Sequence, residues 1–228
     1  MAFVIPAPAI PALDVTGTQE KFPVRRIYCV GRNYAEHARE MGHDPNREAP
    51  FFFQKPADAL LVNGGDFPYP SMTNDVHFEI ELVVALGRGG TNIEVAKALD
   101  CIYGYAVGID MTRRDLQGAA KKLGRPWEVG KAFECSAPCS AVVPASKIGH
   151  PSKGAIWLDV NGETRQRGDI SQLIWTIPES IAQLSSYFTL APGDLLFTGT
   201  PAGVGATQRG DVLKGGVEGV GEIEIRVV

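Results

Sequence analysis

Glycine and proline break this chain so often that no long helix fits into it. With 26 glycines and 16 prolines in 228 residues, the segments between breaks are short, and several alternate apolar and polar residues. That pattern favours many short strands joined by turns over a helical bundle. The strongest turn signal is Asn161-Gly162 in "AIWLDVNGETRQRGD", which predicts a tight hairpin. Short helices are predicted at 33–42, 91–102, 112–124 and 177–190. In the first, Asn33 is placed as the N-cap, Glu36 stands three residues on as in a capping box, and Gly42 closes the C-terminus. In the last, Pro178 suits the first turn. "WEVGKAFECSAP" reads as strand or loop. The expected class is α+β and predominantly β, with a Pro-rich arm over 1–23 and one domain over 24–228.

The net charge is −4 and no basic run exists, so nucleic acid and anionic membrane surfaces are not expected partners. The start "MAFVIPAPAIPAL" is apolar, but it holds three prolines and no basic residue precedes Lys21, which makes a poor signal peptide. No stretch approaches the roughly 18 apolar residues of a membrane helix. The expected compartment is the cytosol. Cys29, Cys101, Cys135 and Cys139 suit a reduced setting. The C-x3-C pair of Cys135 and Cys139 lacks the second pair or the histidines of a zinc site.

"NDVHFEIELVVALG" (74–87) departs from that ordinary pattern. Val76, Phe78, Ile80, Leu82 and Val84 alternate as in a half-buried strand. Period two puts His77, Glu79 and Glu81 on the other face, which turns apolar again at Val83 and Ala85. Two carboxylates side by side in an apolar setting must be protonated or neutralised, and a divalent cation neutralises them directly through oxygen ligands. The competing reading is a solvated strand face. "GEIEIRVV" serves as a control: Glu222 and Glu224 are spaced alike, but Arg226 continues their face, and that pair reads as exposed. From spacing alone the two readings of Glu79 and Glu81 stay open. Asp110, ending the apolar "YAVGID", offers a third oxygen ligand at a strand end. Three carboxylates leave an octahedral shell room for water and substrate, which suits Mg2+ or Mn2+ over zinc.

His37 and Glu40 are three apart on the first helix and so share a face. Such a pair can fix the imidazole tautomer and deprotonate water, or it can be surface decoration. His43 and His150 read as surface histidines, and His77 either as a group orienting a glutamate or as an accessible strand residue. Lys131, in "VGKAF", either snorkels to solvent or faces an anionic ligand. Arg113, Arg114 and Gln117 follow Asp110 into a helix, with one arginine able to face the metal region and the other solvent. Arginine suits a substrate carboxylate. "FTGTPAGVG" lacks the Lys-Ser/Thr of a P-loop, and Thr200 or its backbone amides are placed along a site.

Taken in order, "CVGRNYAEHAREM", "FFQKP", "HFEIEL", "GIDMTRRDLQ", "GRPWEVGKAF", "VNGETRQ" and "GDLLFTGTPAGVG" resemble the fumarylacetoacetate hydrolase superfamily, in the length class of its single-domain acylpyruvate hydrolases. The resemblance runs from about residue 24 and leaves the N-terminal arm outside. It implies that family's fold, a mixed β-sandwich roll with a few short helices, usually homodimeric. It implies Mg2+ or Mn2+ on Glu79, Glu81 and Asp110, and His37 with Glu40 as a water-activating dyad on a segment that is a lid in relatives. It casts Lys131 as stabilising negative charge, and Arg114, Gln117 and Thr200 as positioning substrate. Lys55 lies in a shared motif but receives no role.

The expected reaction is cleavage of a 2,4-diketo acid. Its 2-oxo-acid end chelates the metal, and His37, backed by Glu40, takes a proton from the water that attacks C4. Breaking C3–C4 releases a carboxylic acid and pyruvate enolate, which the metal and Lys131 stabilise. Fumarylpyruvate, from the gentisate route of aromatic degradation, is the first expected substrate, followed by maleylpyruvate or a simpler acylpyruvate. Oxaloacetate decarboxylation, or isomerase/decarboxylase chemistry on a related diacid, is the alternative on the same fold. A non-catalytic keto-acid or metal-binding module is the alternative of another class.

Overall fold

The structure, a computed structural model, describes residues 3–40 and 48–228. Its centre is a curled eight-stranded mixed sheet. The strand order is Phe51–Lys55, Arg26–Gly31, Asp194–Phe197, Ile80–Leu86, Ile102–Ile109, Ala137–Cys139 and Leu60–Val62, with Val143–Pro144 added beside Ile102–Ile109. A five-stranded sheet (Glu163–Asp169, Ala155–Val160, Val212–Val217, Gly221–Val227, Gly65–Phe67) packs over one face. A small sheet joins Thr112–Arg113, Val76–Phe78 and Gly205–Thr207. The α+β, mostly β class expected from the turn density is what forms.

Every residue of Ile80–Leu86 is buried, because both faces of this strand are covered. Ile80, Leu82 and Val84 enter the large core with Val107, Ile109, Ile156, Leu158 and Ile223. Val83 and Ala85 enter a second core with Ile27, Leu195 and Phe197, closed by Leu13, Val15 and Phe22. The last three belong to the N-terminal hairpin of Ala12–Asp14 and Lys21–Pro23. Val15 bridges Val142 there, and the Thr16 amide donates to the Val142 carbonyl at 2.9 Å. Residues 11–24 are thus packed onto the domain.

The helices are short: α1 Ala35–Glu40, α2 Arg114–Lys122, α3 Glu128–Lys131, α4 Ala145–Ile148 and α5 Ile177–Tyr187. The hairpin at Asn161 (φ 53°) and Gly162 (φ 81°) has the left-handed pair that a type I′ turn requires. Thr176 and Glu179 form the capping box of α5. Residues 91–102 depart from expectation, forming a 3-10 helix over Val95–Cys101. Within "WEVGKAFECSAP", "EVGK" (Glu128–Lys131) is helical. Gly42 and His43 lie outside the described residues. Among the described residues, no helix is long and apolar enough to cross a membrane.

Candidate active site

The interruption of one strand builds the site. Val76–Phe78 and Ile80–Leu86 are separate strands because pairing breaks at Glu79. There the Asp110 amide donates to the Glu79 carbonyl at 2.8 Å, and the Ile80 amide donates to the side chain of Gln166 at 3.0 Å. The antiparallel register then sets Ile80 against Ile109 and Glu81 against Gly108, which brings the end of the second strand, Asp110, beside both glutamates. A Cβ on Gly108 would lie 2.6 Å from the Phe197 ring and from Val83, so only glycine lets the sheet close under Glu81.

Glu79, Glu81 and Asp110 are all buried and offer oxygens within 4.8 Å of one another. The exposed pair Glu222 and Glu224 contrasts with them: Glu222 meets Lys214 at 3.0 Å, in solvent. Two features of the buried cluster fit a hard divalent cation. Asp110 Oδ1 lies 2.8 Å from the Lys55 ammonium as an ion pair, yet this buried oxygen accepts no directed hydrogen bond. Burial, then the nearby charges of Asp110 and Glu79, push the Glu81 carboxyl well above the usual range, against the Gly199 amide that donates to it at 2.7 Å. Such a set of oxygens is completed by positive charge, and carboxylates select Mg2+ or Mn2+ over softer ions.

Three buried or half-buried cations brace the cluster. Lys131 Nζ donates to Glu79 at 3.0 Å, to Asp110 at 2.6 Å and to Thr112 Oγ1 at 2.6 Å. Burial works against this ammonium, but Asp110 and Glu79 outweigh it and raise its pKa. It therefore stays charged and does not serve as a base. Lys131 reaches this place because α3 lies tight on α2: a Cβ on Gly130 would sit 2.9 Å from the Gln117 nitrogen. Arg114 donates to Glu79 and, at 2.8 Å, to Gln117. Burial would raise the Glu79 carboxyl, but Lys131 and Arg114 prevail and hold it well below the usual range. Lys55, left without a role by the sequence, donates to the Met111 carbonyl at 3.1 Å and to the Lys131 carbonyl, tying both sides of the site to Asp110.

His37 Nδ1 lies 3.2 Å from Glu40 Oε2. With that nitrogen donating to the carboxylate, Nε2 is the basic nitrogen. Glu40 also accepts from the Gly203 amide at 3.1 Å, which locks the dyad to the loop after Thr200. The N-cap expectation for Asn33 is corrected. Its side chain accepts from the Trp175 amide at 2.7 Å and donates to the carbonyls of Trp175 (3.0 Å) and Thr198 (2.8 Å), so it holds α1 in place instead of capping it. Glu36 pairs with Arg39.

His37, Glu79, Glu81, Asp110, Arg114, Gln117, Lys131 and Thr200 line one cleft, and Glu40 reaches it through His37. Thr200 accepts from Gln166 at 2.8 Å. His77 pairs with Asp75 at 2.9 Å. Arg113 does not run free into solvent: its guanidinium lies 4.4 Å from the Phe133 ring centroid. Sequence reasoning missed four residues of the cleft or its support: Arg32, Lys121, Trp127 and Gln166. Lys121 was findable, since positions 114, 117 and 121 fall on one face of α2.

A β-rich fold that gathers three buried carboxylates, a charged lysine and a histidine–glutamate pair in one cleft defines a metal-binding enzyme with an all-oxygen ligand set. The chain belongs to the fumarylacetoacetate hydrolase family: the fumarylacetoacetate (FAA) hydrolase C-terminal family matches residues 26–228. The crystal structure of fumarylpyruvate hydrolase from Pseudomonas aeruginosa, in complex with Mn2+ and pyruvate, is 53% identical, with a TM-score of 0.97 over 100% of this chain and 99% of that one. Fumarylpyruvate hydrolase of Ralstonia sp is 46% identical over 184 residues, 81% of this chain and 95% of that protein. The mitochondrial oxaloacetate tautomerase FAHD1 of Homo sapiens is 42% identical over 203 residues, 89% and 91% of the two chains.

Proposed function

We propose that this protein is a metal-dependent acylpyruvate hydrolase, with fumarylpyruvate as its first substrate. The observation that carries the reading is the pairing of His37 with Glu40 at 3.2 Å in the same cleft as the three carboxylates. A decarboxylase needs no attacking water and would use the pair only to protonate the enolate, whereas hydrolysis uses it first as a base and then as an acid. The relatives named fumarylpyruvate hydrolase, one of them in complex with Mn2+ and pyruvate, support the same reading.

Glu79, Glu81 and Asp110 would hold Mg2+ or Mn2+, which when bound supplies positive charge to the 2-oxo-carboxylate end of the substrate. His37 Nε2 takes a proton from water, and Glu40 stabilises the imidazolium. The hydroxide adds to C4, the C3–C4 bond breaks, and its electron pair moves into the pyruvate enolate. Lys131, held as a permanent cation, stabilises that charge where it develops. The imidazolium returns the proton to C3. Arg114 and Gln117 orient the keto acid, and Thr200, itself held by Gln166, lines the opposite side. A cytosolic homodimer is part of this reading; light scattering of the purified protein checks the assembly.

Pyruvate release from fumarylpyruvate with Mn2+ supplied, and its loss with EDTA, is the first test. His37→Ala lowers kcat by about 10²–10⁴-fold, the usual share of general acid–base catalysis. Metal-independent turnover would sink the reading. The human relative's name favours tautomerase chemistry on oxaloacetate as a second reading. It predicts that the wild type acts on oxaloacetate and not on acylpyruvates.

A further inference from the structure

Lys55, Lys131 and Arg114 are already engaged by Glu79 and Asp110. Two more cations line the same cleft, Arg32 and Lys121. Among the described residues neither makes a salt bridge or a hydrogen bond, and the buried Nε of Arg32 has no partner. The charge of Glu48 acts on Arg32, with no salt bridge between the two. Both cations rest on one aromatic wall. Phe51 and Trp127 meet edge to face with centroids 5.2 Å apart. The Arg32 guanidinium lies 5.3 Å from the Phe51 centroid and Lys121 Nζ lies 5.0 Å from that of Trp127.

Holding these charges together is unfavourable in the absence of an anion. Burial, then the like charges of Arg114 and Arg32, bring the Lys121 ammonium down to about 8. Arg32 also has a left-handed backbone (φ 56°), uncommon for a residue with a side chain and concentrated at ligand sites. A bound cation on the three carboxylates adds still more positive charge to the cleft. The missing partner is therefore negative, and it belongs to the ligand.

We propose that Arg32 and Lys121 form a second anion subsite, which binds a carboxylate at the acyl end of the substrate and makes the enzyme selective for dianionic acylpyruvates. The inference rests on the hydrolase reading for the keto-acid end of the ligand. The Phe51–Trp127 wall accommodates the carbons between the two anionic ends, and arginine with lysine supplies charge-assisted donors for the far one.

The test compares the Mn2+-loaded wild type with Lys121→Met, Lys121→Arg and Arg32→Gln, each checked for folding by thermal melting. Pyruvate release is measured from fumarylpyruvate and from acetylpyruvate, which shares the keto-acid head but lacks the second carboxylate. The ratio of the two kcat/KM values falls by about 10- to 100-fold in Lys121→Met and Arg32→Gln, as expected for loss of a charge-assisted hydrogen bond, and Lys121→Arg restores it. An unchanged ratio, or equal losses on both substrates, overturns the subsite while leaving the hydrolase reading intact. If the wild type releases pyruvate from neither substrate, the hydrolase reading fails, and fumarate titrated calorimetrically decides the subsite separately. Binding that weakens in Lys121→Met upholds it; absent or unchanged binding overturns it.

Discussion

Glu81 is buried beside Asp110 and Glu79 with one amide, that of Gly199, donating to it. Its carboxyl keeps a proton at pH values where an exposed glutamate has lost it. Cation binding needs the carboxylate, so it expels that proton. Mn2+ affinity therefore rises with pH, by up to about tenfold per unit for one proton. Calorimetry in buffers of different ionisation enthalpy reads the released proton, and Glu81→Gln abolishes that release. For the metal-free fold the sign is opposite. A raised carboxyl contributes stability that is complete below its unfolded pKa and is lost as pH climbs through the folded one. The melting temperature of the metal-free protein thus falls over that window, and Mn2+ removes the fall. Glu79, held low by Lys131 and Arg114 against its burial, contributes the reverse trend only in strong acid.

At the scale of elements, the site depends on the break between Val76–Phe78 and Ile80–Leu86. Gln166 keeps that break satisfied, as its amide group accepts from Ile80 and donates to Thr200 and to the Pro201 carbonyl. Gln166→Ala leaves three buried groups without this partner. It costs about 1–3 kcal/mol for each group that no water rescues, read by denaturant unfolding, and it lowers kcat through Glu79 and Thr200 together. Gln166→Glu keeps the acceptor for the Ile80 amide but turns an acceptor oxygen towards the Pro201 carbonyl, so it is destabilising as well. The sequence carried part of this. In "ETRQRGD" no apolar residue is available, so the one inward position of the strand had to be polar. Period two put Glu79 and Glu81 on one face, and the strand end offered Asp110, because those relations are local. Lys121 shares a helix face with Arg114 and Gln117, but only tertiary packing sets Arg32 and Trp127 beside it. Asn33 was misread for the same reason: its local pattern fits a cap, while its actual partners, Trp175 and Thr198, lie far along the chain.

For the whole molecule, two cores flank one central strand, and the smaller is closed by the N-terminal hairpin. Leu13 is fully buried there, and Leu13→Ala costs about 2–5 kcal/mol, seen as a lower denaturant midpoint with an unchanged slope. An unaltered midpoint would mean that residues 11–24 are not part of the cooperative fold. The same architecture divides the site by how it opens. Glu81 sits on a strand covered on both faces, with Glu79 and Asp110 at the strand ends beside it, and the amides of that strand are expected to exchange with solvent only when the whole domain unfolds. His37 and Glu40 sit on the six residues of α1, with Glu36, Arg39 and Glu40 exposed, and this helix is held by the bonds of Asn33 and Glu40. In hydrogen–deuterium exchange, the amides of Ala35–Glu40 exchange by local opening, orders of magnitude before those of Ile80–Leu86. Equal protection of the two segments would show a single rigid unit. On the proposed reading, the carboxylate platform then stays assembled while the helix that carries His37 and Glu40 opens and re-forms.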